Sequence, residues 1–484
     1  MTTHYNLIVI GAGLSGIGMA CHYKRDCGRE DYAILEARDV MGGTWDLFRY
    51  PGVRSDSDMH TLGYNFKPWT NAKAIADGPS ILNYIQETAS EYGVDKHIQY
   101  ETKLVSMNWT AREARWKIVV EDKTGARRDM SANFVVSCAG YYNYDEGYNP
   151  SFEGQTNFDG PIIHPQHWPQ DLNYSDRKIV VIGSGATAMT LVPNLAKSAS
   201  HVTMLQRSPS YVVSVPSRDH LANVLRKILP DTLAYKLIRA KNIMRTDVMN
   251  AQSRDKPERV RKFLLRGVRK GLGKAYDVNT HFTPDYMPWD QRLCLVPDAD
   301  LFNVLKSNKA QVVTDHIERF TQDGILLKSG QHIAADIIVT ATGLQIQVMG
   351  NIDMQVDGAP VDFASRFTYR GMMLSDVPNF ANIFGYVNAS WTLRSDLIAQ
   401  YMCRLMTHMK TSGYKTITPR APEDMDKRLW LDFDAGYIQR AIDIMPKQGD
   451  RDPWQNIQNY KRDRSHIGRA SVASDIDNGS LEVS

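Results

Sequence analysis

Leu7-Ile-Val-Ile10-Gly11-Ala-Gly13-Leu-Ser-Gly16 decides the fold, because the chain repeats the same grammar later as Lys178-Ile-Val-Val-Ile182-Gly183-Ser-Gly185-Ala-Thr-Ala188. A short apolar run, a glycine-rich turn and a helix-compatible stretch form the first half of a βαβ unit. The run Tyr32-Ala-Ile-Leu35 completes the first unit and His201-Val-Thr-Met-Leu205 the second. In such a unit the first glycine permits the tight turn, the second lets backbone approach a pyrophosphate, and the third lets helix meet strand. Gly11, Gly13 and Gly16 fill these places in the first unit. Gly183, Gly185 and Ala188 fill them in the second. The phosphates of a dinucleotide belong at the helix N-terminus, where unpaired N–H groups and the helix dipole favour anions. The expected fold class is therefore α/β, with two Rossmann-like dinucleotide-binding domains.

The two units differ at the position that reads the ribose. Glu36 ends the second strand of the first unit, where a carboxylate accepts hydrogen bonds from an adenosine ribose and repels a 2′-phosphate. FAD and NAD both fit such a site. The second unit has Gln206, Arg207 and Ser208 there, with no acid to repel a phosphate and a guanidinium fork to hold one. NADPH is the inference for the second site, and a hydride acceptor, FAD, for the first. A disulfide reductase would need a redox-active cysteine pair beside the flavin. Cys21 and Cys27, read as lying on a helix and its following loop, do not supply one, so the reduced flavin is expected to meet oxygen.

Length and composition agree. At 484 residues, two to three domains are expected, and 43% hydrophobic with 23% charged residues is ordinary for a soluble globular chain. A net charge of +3 is too mild to imply nucleic acid. Five scattered cysteines without CxxC or metal-type spacing read as reduced thiols, with no metal site expected. The N-terminus runs straight into an apolar strand without a charged leader, and no apolar stretch approaches the ~20 residues of a membrane span. A cytoplasmic enzyme without a transmembrane segment is expected. Residues from about Arg218 to Lys274 read as a helical insertion rich in Lys and Arg. The run Arg259-Val-Arg-Lys-Phe-Leu-Leu-Arg266 reads first as a solvated face covering the site, and second as a peripheral contact with acidic lipid. Residues 40–70 read as loop, a helix is expected from about Ser395 to Thr411, and the polar tail beyond Arg464 is expected to be poorly ordered.

The expected division is 1–145 for the first part of the FAD domain, 146–215 for the first part of the NADP domain, and 216–287 for the insertion. Residues 288–343 then return to the NADP domain and 344–484 to the FAD domain.

Between the two units lies Phe158-Asp-Gly160-Pro-Ile-Ile-His164-Pro-Gln-His-Trp168-Pro169. This segment, together with Gly43-Thr-Trp45-x-x-x-x-Tyr50-Pro-Gly52-x-x-x-Asp56, resembles the fingerprints of type I Baeyer–Villiger monooxygenases, a group of class B flavoprotein monooxygenases. Within that group the chain is similar to the ethionamide-activating subgroup, whose bacterial relatives include long-chain alkane monooxygenases. The stretches Tyr141–Tyr148, Pro288–Pro297 and Asn388–Leu393 carry the same likeness, which covers nearly the whole chain. A departure is Cys138-Ala-Gly140, where many relatives have Ala-Thr-Gly.

The resemblance implies FAD contacts at Ser15, Glu36, Thr44, Trp45, Asp46, Leu47, Asp56 and the backbone of Leu104. It implies NADPH contacts at Arg54, Ser55, Asp56, Gly183, Ser184, Gly185, Ala186, Thr187, Ala188, Met189, Arg207 and Ser208. It implies that Arg292 sits by the flavin, stabilising a C4a-peroxyflavin that converts ketones to esters or lactones, with Asp56 orienting Arg292. A permanent guanidinium charge suits that task, since it favours the nucleophilic anion of a peroxide. Sulfides or thioamides are expected as further substrates. Long-chain alkane or heteroatom oxygenation is the alternative within this flavoprotein class, and an NADPH-dependent flavin reductase the alternative outside it. His164 reads either as a coupler of domain rotation to NADP binding or as a packing histidine. Trp391 reads either as a pocket wall or as core.

Overall fold

Each glycine-rich turn leaves the end of a buried parallel strand, and each of those strands heads a different sheet. The computed structural model describes residues 2–288, 290, 291 and 293–484. In the first sheet Thr3–Ile10 pairs in parallel with Tyr32–Leu35 on one side and Arg127–Ser137 on the other. Arg115–Asp122 and Thr102–Thr110 extend it antiparallel, and Asp353–Val356 and Phe380–Asn382 return from late in the chain to join it. Leu7 to Ile10 form an uninterrupted buried run because both faces of this strand are covered. The second sheet is parallel throughout, in the order Ala310–Thr314, His201–Gln206, Lys178–Ile182, Ile337–Thr340, Ile162–Ile163. This is an α/β architecture of two Rossmann-like sheets, with the helices His220–Ile228, Asp231–Asp255 and Pro257–Leu272 inserted into the second.

The chain passes from the first sheet to the second and back. Tyr142–Gly147 carries it out, Leu344–Ile346 carries it back, and the two form an antiparallel ribbon. No helix among the described residues is long and apolar enough to cross a membrane.

The structure corrects several sequence expectations. The tail beyond Arg464 is ordered: the Arg370 guanidinium donates to both carboxylate oxygens of Asp475 at 2.7 and 2.9 Å, Tyr401 donates to the same carboxylate at 3.1 Å, and Leu481–Val483 pairs with Ile417–Pro419. Polar composition shows a surplus of hydrophilic groups, but it cannot show that those groups find buried partners. Residues 40–70 contain two single-turn helices, Thr44–Leu47 and Met59–Leu62, the second capped by the Asp58 carboxylate accepting from Thr61 N–H. The late helix starts at Trp391, four residues earlier than its apolar periodicity suggests, and ends at Ser412. Cys27 closes the helix Leu14–Cys27 rather than lying in the loop after it, and all five cysteines are free.

Candidate active site

The first glycine turn opens into a cleft of about 520 Å³. Gly11, Gly13, Ser15, Glu36, Thr44, Trp45, Asp56 and Leu104, all sequence candidates, line it together. Gly16 does not line it and serves packing instead: a Cβ there would lie 1.8 Å from the Gly11 carbonyl oxygen, so helix and strand approach as only glycine allows. The helix Leu14–Cys27 begins with no side-chain cap and no acidic residue in its first turn, which leaves its leading N–H groups facing the cleft as anion donors.

Glu36 is only 6% exposed, and its two oxygens accept from Ala12 N–H at 2.8 Å and Arg38 N–H at 3.0 Å. Burial pushes its pKa up, and the two backbone donors and Arg38 pull partly against that. Each carboxylate oxygen keeps a second acceptor position for a ribose hydroxyl. Uncapped helix, buried acceptor and narrow cleft together fit an adenine dinucleotide without a 2′-phosphate.

The structure also separates some candidates from the cleft. Asp46 is buried, but its carboxylate is occupied by Arg38 at 2.5 Å and Arg49 at 2.7 Å. Leu47 lies outside the cleft lining. The Ser55 hydroxyl accepts from Ala76 N–H at 3.2 Å, and the Arg54 guanidinium pairs with Asp300 at 2.5 Å. The Arg54–Asp300 pair docks this segment onto the second sheet's side, where a Cβ on Gly52 would overlap the Asn194 amide, while the Ser55 bond ties it back to the first. Asp56, next along the chain, stands exposed on the cleft rim. Arg292 lies outside the described residues.

Sequence reasoning offered Trp391 as pocket wall or core and missed the rings that build the wall around it. The Trp391 indole donates to Ser15 Oγ at 2.7 Å and stacks on Tyr141 at 5.2 Å between ring centres, nearly parallel. Phe384 meets that indole edge-on at 5.2 Å, and Trp430 packs behind Phe384 at 4.6 Å. Tyr142, Tyr144, Gln347 and Tyr386 also line the cleft. The aromatic run Tyr141-Tyr-Asn-Tyr144 was the available signal for one side. Trp391 thus lines the cleft and packs against its aromatic neighbours at once. Cys138 lies at the cleft floor, where burial raises its thiol pKa, and its N–H bonds Ile10 O at 2.8 Å, so the substitution there leaves the turn intact.

The second turn is open. The helix Ala186–Leu195 also lacks a side-chain cap at its start, while Gly185 and Ala186 are exposed and Gly183, Ser184 and Thr187 are half-buried. Ala188 and Met189 point into the core. Gln206 is structural, since its amide donates to His281 O at 2.8 Å and Thr314 Oγ1 at 2.9 Å. Arg207 and Ser208 stand exposed beyond it at the strand end.

Between the turns, His164 clasps both crossing strands. Its Nε2 lies 3.0 Å from the O of Gly343, the residue before the returning strand, and its ring fills the space where a Cβ on Gly147 of the outgoing strand would be. Its Nδ1 accepts from Gln166 N–H at 3.3 Å. The Gln166 amide in turn donates to Asn143 O at 2.8 Å and Tyr144 O at 3.1 Å, beside the cleft. Phe158 and Trp168 are buried in the second domain.

Comparison with known proteins places these features. Residues 9–77 match the NAD(P)-binding Rossmann-like domain, and residues 70–250 match the flavin-binding monooxygenase-like family. The chain is 50% identical over 474 residues to the FAD-containing monooxygenase EthA of Mycobacterium tuberculosis, covering 98% of this chain and 97% of that protein. It is 48% identical over 473 residues to AlmA of Acinetobacter baylyi, described as a probable FAD-binding monooxygenase, covering 97% and 95%. A cyclohexanone monooxygenase structure with bound ε-caprolactone shares the fold, with a TM-score of 0.78 at 20% identity over all of both chains.

Proposed function

This chain belongs to the family of FAD-containing flavin monooxygenases, and on that premise we propose that it is a Baeyer–Villiger enzyme. Such an enzyme inserts one atom of O2 beside a ketone carbonyl to give an ester or lactone, and sulfides and thioamides are proposed as further substrates. The enzyme is an NADPH-dependent monooxygenase of small molecules, with FAD and NADPH as its cofactors. Bound FAD supplies the chemistry that accepts hydride from NADPH and activates oxygen.

Each assigned role has a physical basis. The uncapped helix start at Leu14 and Ser15 holds the FAD pyrophosphate, and Glu36 holds its ribose. Trp391, Tyr141 and Phe384 exclude water from the cleft wall. Arg207 and Ser208 hold the 2′-phosphate of NADPH at the open turn. Arg292 would supply a permanent positive charge for the oxygen chemistry, and Asp56 on the rim would orient it. Residues 1–145 and 344–484 form the FAD-binding part, and 146–215 with 288–343 the NADP-binding part around the insertion 216–287. Five free cysteines and a requirement for NADPH support a cytoplasmic location.

The observation that carries the Baeyer–Villiger reading is the segment Phe158–Pro169. It resembles that group's fingerprint at the fixed positions Phe158, Gly160, His164, Trp168 and Pro169, and its His164 clasps the crossing between the domains. Products from a ketone, a thioether and an alkane under oxygen-18 gas, resolved by gas chromatography, test it. Labelled ester or lactone is expected from the ketone. Sulfoxide or alcohol without any ester would overturn the reading, and peroxide alone would make the chain a reductase. Arg292→Ala is expected to keep anaerobic flavin bleaching by NADPH and to lose oxygenation by a factor on the order of a hundred to a thousand.

A further inference from the structure

The helical insertion presents to water the apolar side chains that most of the protein hides. Of the ten large hydrophobic residues exposed among the described residues, seven lie on the hairpin His220–Ile228 and Asp231–Asp255. Leu221, Val224 and Ile228 follow one another at three and four residues, and Ile228 is 72% exposed. Leu233, Leu237, Met244 and Val248 follow at four, seven and four. These spacings put each set on one helix face.

The opposite face fixes how the hairpin sits. Ala222, Ala234, Tyr235 and Ile238 are buried, and the Arg239 guanidinium donates to Gly63 O at 2.7 Å and His60 O at 3.0 Å while pairing with Asp396. The outward apolar face is therefore held outward by contacts on the inner one.

Charge names what covers it. Residues 216–287 carry sixteen Lys and Arg against seven Asp and Glu, a net +9, so the rest of the chain carries −6. Lys227, Lys236 and Arg245 are exposed and alternate in sequence with the outward apolar residues, and Arg254, Lys256, Arg259, Lys262 and Arg266 continue the exposed basic surface.

We propose that this face docks on an anionic bilayer surface, with the aliphatic side chains entering the headgroup boundary and the cations lying among the lipid phosphates. An amphipathic, basic-rimmed helix face gains from both contacts at once. A second copy of the chain suits the face poorly, since a two-fold contact would press two basic surfaces together. The docking has a use for an oxygenase of hydrophobic molecules. The inner side of the same long helix reaches Asn388 O through Asn250 at 3.4 Å, next to the cleft residues Ala389 and Trp391, so one helix separates cleft from bilayer. The docking itself does not depend on which substrate is oxygenated.

Co-sedimentation of the FAD-loaded full chain with vesicles tests it. Binding is expected to phosphatidylcholine vesicles that contain phosphatidylglycerol, not to phosphatidylcholine alone, and to weaken with salt. Lys227→Glu/Lys236→Glu/Arg245→Glu is expected to weaken binding by a factor on the order of a hundred or more. Ile228→Asn/Met244→Asn is expected to weaken it about tenfold or more. Both variants should keep their FAD content and their NADPH oxidation in solution. Equal pelleting or no pelleting with both vesicle types would overturn the proposal, as would binding that neither variant alters. A dimer in sedimentation velocity that the Ile228/Met244 variant dissolves would give the face to a second copy instead.

Discussion

The two glycine turns begin alike and end differently. Both leave a buried parallel strand, and both start a helix with no side-chain cap. The first is enclosed. Its helix lies against the Gly11 carbonyl, its acid Glu36 is buried, and an indole and a phenol from distant parts of the chain wall it. The second is open: no atom outside the turn lies within 4 Å of where a Cβ on Gly185 would be, and Arg207 faces water. The motif alone therefore predicts a dinucleotide, while the enclosure distinguishes a resident cofactor from an exchanging one. With FAD at the first turn and NADPH at the second, as proposed, the enclosed flavin would stay through many turnovers and the open site would let the spent carrier leave.

The same substitution at the two turns is the strongest way to break that contrast. Gly16→Ala places a methyl 1.8 Å from Gly11 O, a backbone atom that cannot swing away. It is expected to cost about 3 kcal/mol or more and to yield protein without FAD after gel filtration. Gly185→Ala meets nothing within 4 Å in ordinary extended backbone and is expected to keep its flavin. Flavin retention in Gly16→Ala would mean that the first turn is no tighter than the second, whose third motif position already holds the buried Ala188.

Arg207→Ala tests the other end of the comparison. It is expected to raise the KM for NADPH by the equivalent of about 1.5–3 kcal/mol, the worth of a hydrogen bond to a charged group, and to leave NADH kinetics and FAD content alone. Equal losses with both nucleotides would remove the 2′-phosphate from Arg207. A smaller effect is expected from Trp391→Phe, which keeps a ring against Tyr141 but deletes the 2.7 Å bond to Ser15 Oγ. Flavin affinity should fall by about 1 kcal/mol, measured by titrating apoprotein with FAD, with the KM for NADPH unchanged.

The strands, turns and the Glu36/Arg207 difference were legible in the sequence because they are local: a few residues dictate their own geometry. The aromatic wall was legible only as the two readings of Trp391, since Tyr141, Phe384 and Trp391 meet only when the returning chain closes over the first sheet. Asp46 and Arg54 show the same limit in reverse. A motif names them as cofactor contacts without naming their ion-pair partners, Arg38 with Arg49 for one and Asp300 for the other, and the Arg54 guanidinium keeps a buried Nη2 with no hydrogen-bond partner. The C-terminal tail fails for a related reason, because the partners that bury Asp475 lie on segments its own composition cannot reveal.

The crossing strands join the enclosed site to the open one, and His164, clasped across them, is expected to give that joint a pH dependence. The Nε2 contact with Gly343 O requires a donor, and the Nδ1 contact with Gln166 N–H requires an acceptor, so the two together select the neutral Nε2–H imidazole. Burial lowers the pKa of this ring below the ordinary 6.5, outweighing the contact with Gly343. A histidine freed from the clasp therefore protonates first as pH falls. The clasp is at full strength above the free-histidine pKa of about 6.5 and weakens as pH drops toward the lowered value. Once protonated, Nδ1 can no longer accept from Gln166. The expected result is a KM for NADPH that rises less than tenfold between about pH 7 and pH 5.5, while flavin retention stays level. His164→Gln, with a donor that does not titrate, should show no such rise. An identical acidic rise in wild type and variant would assign it to another group and leave His164 a packing residue.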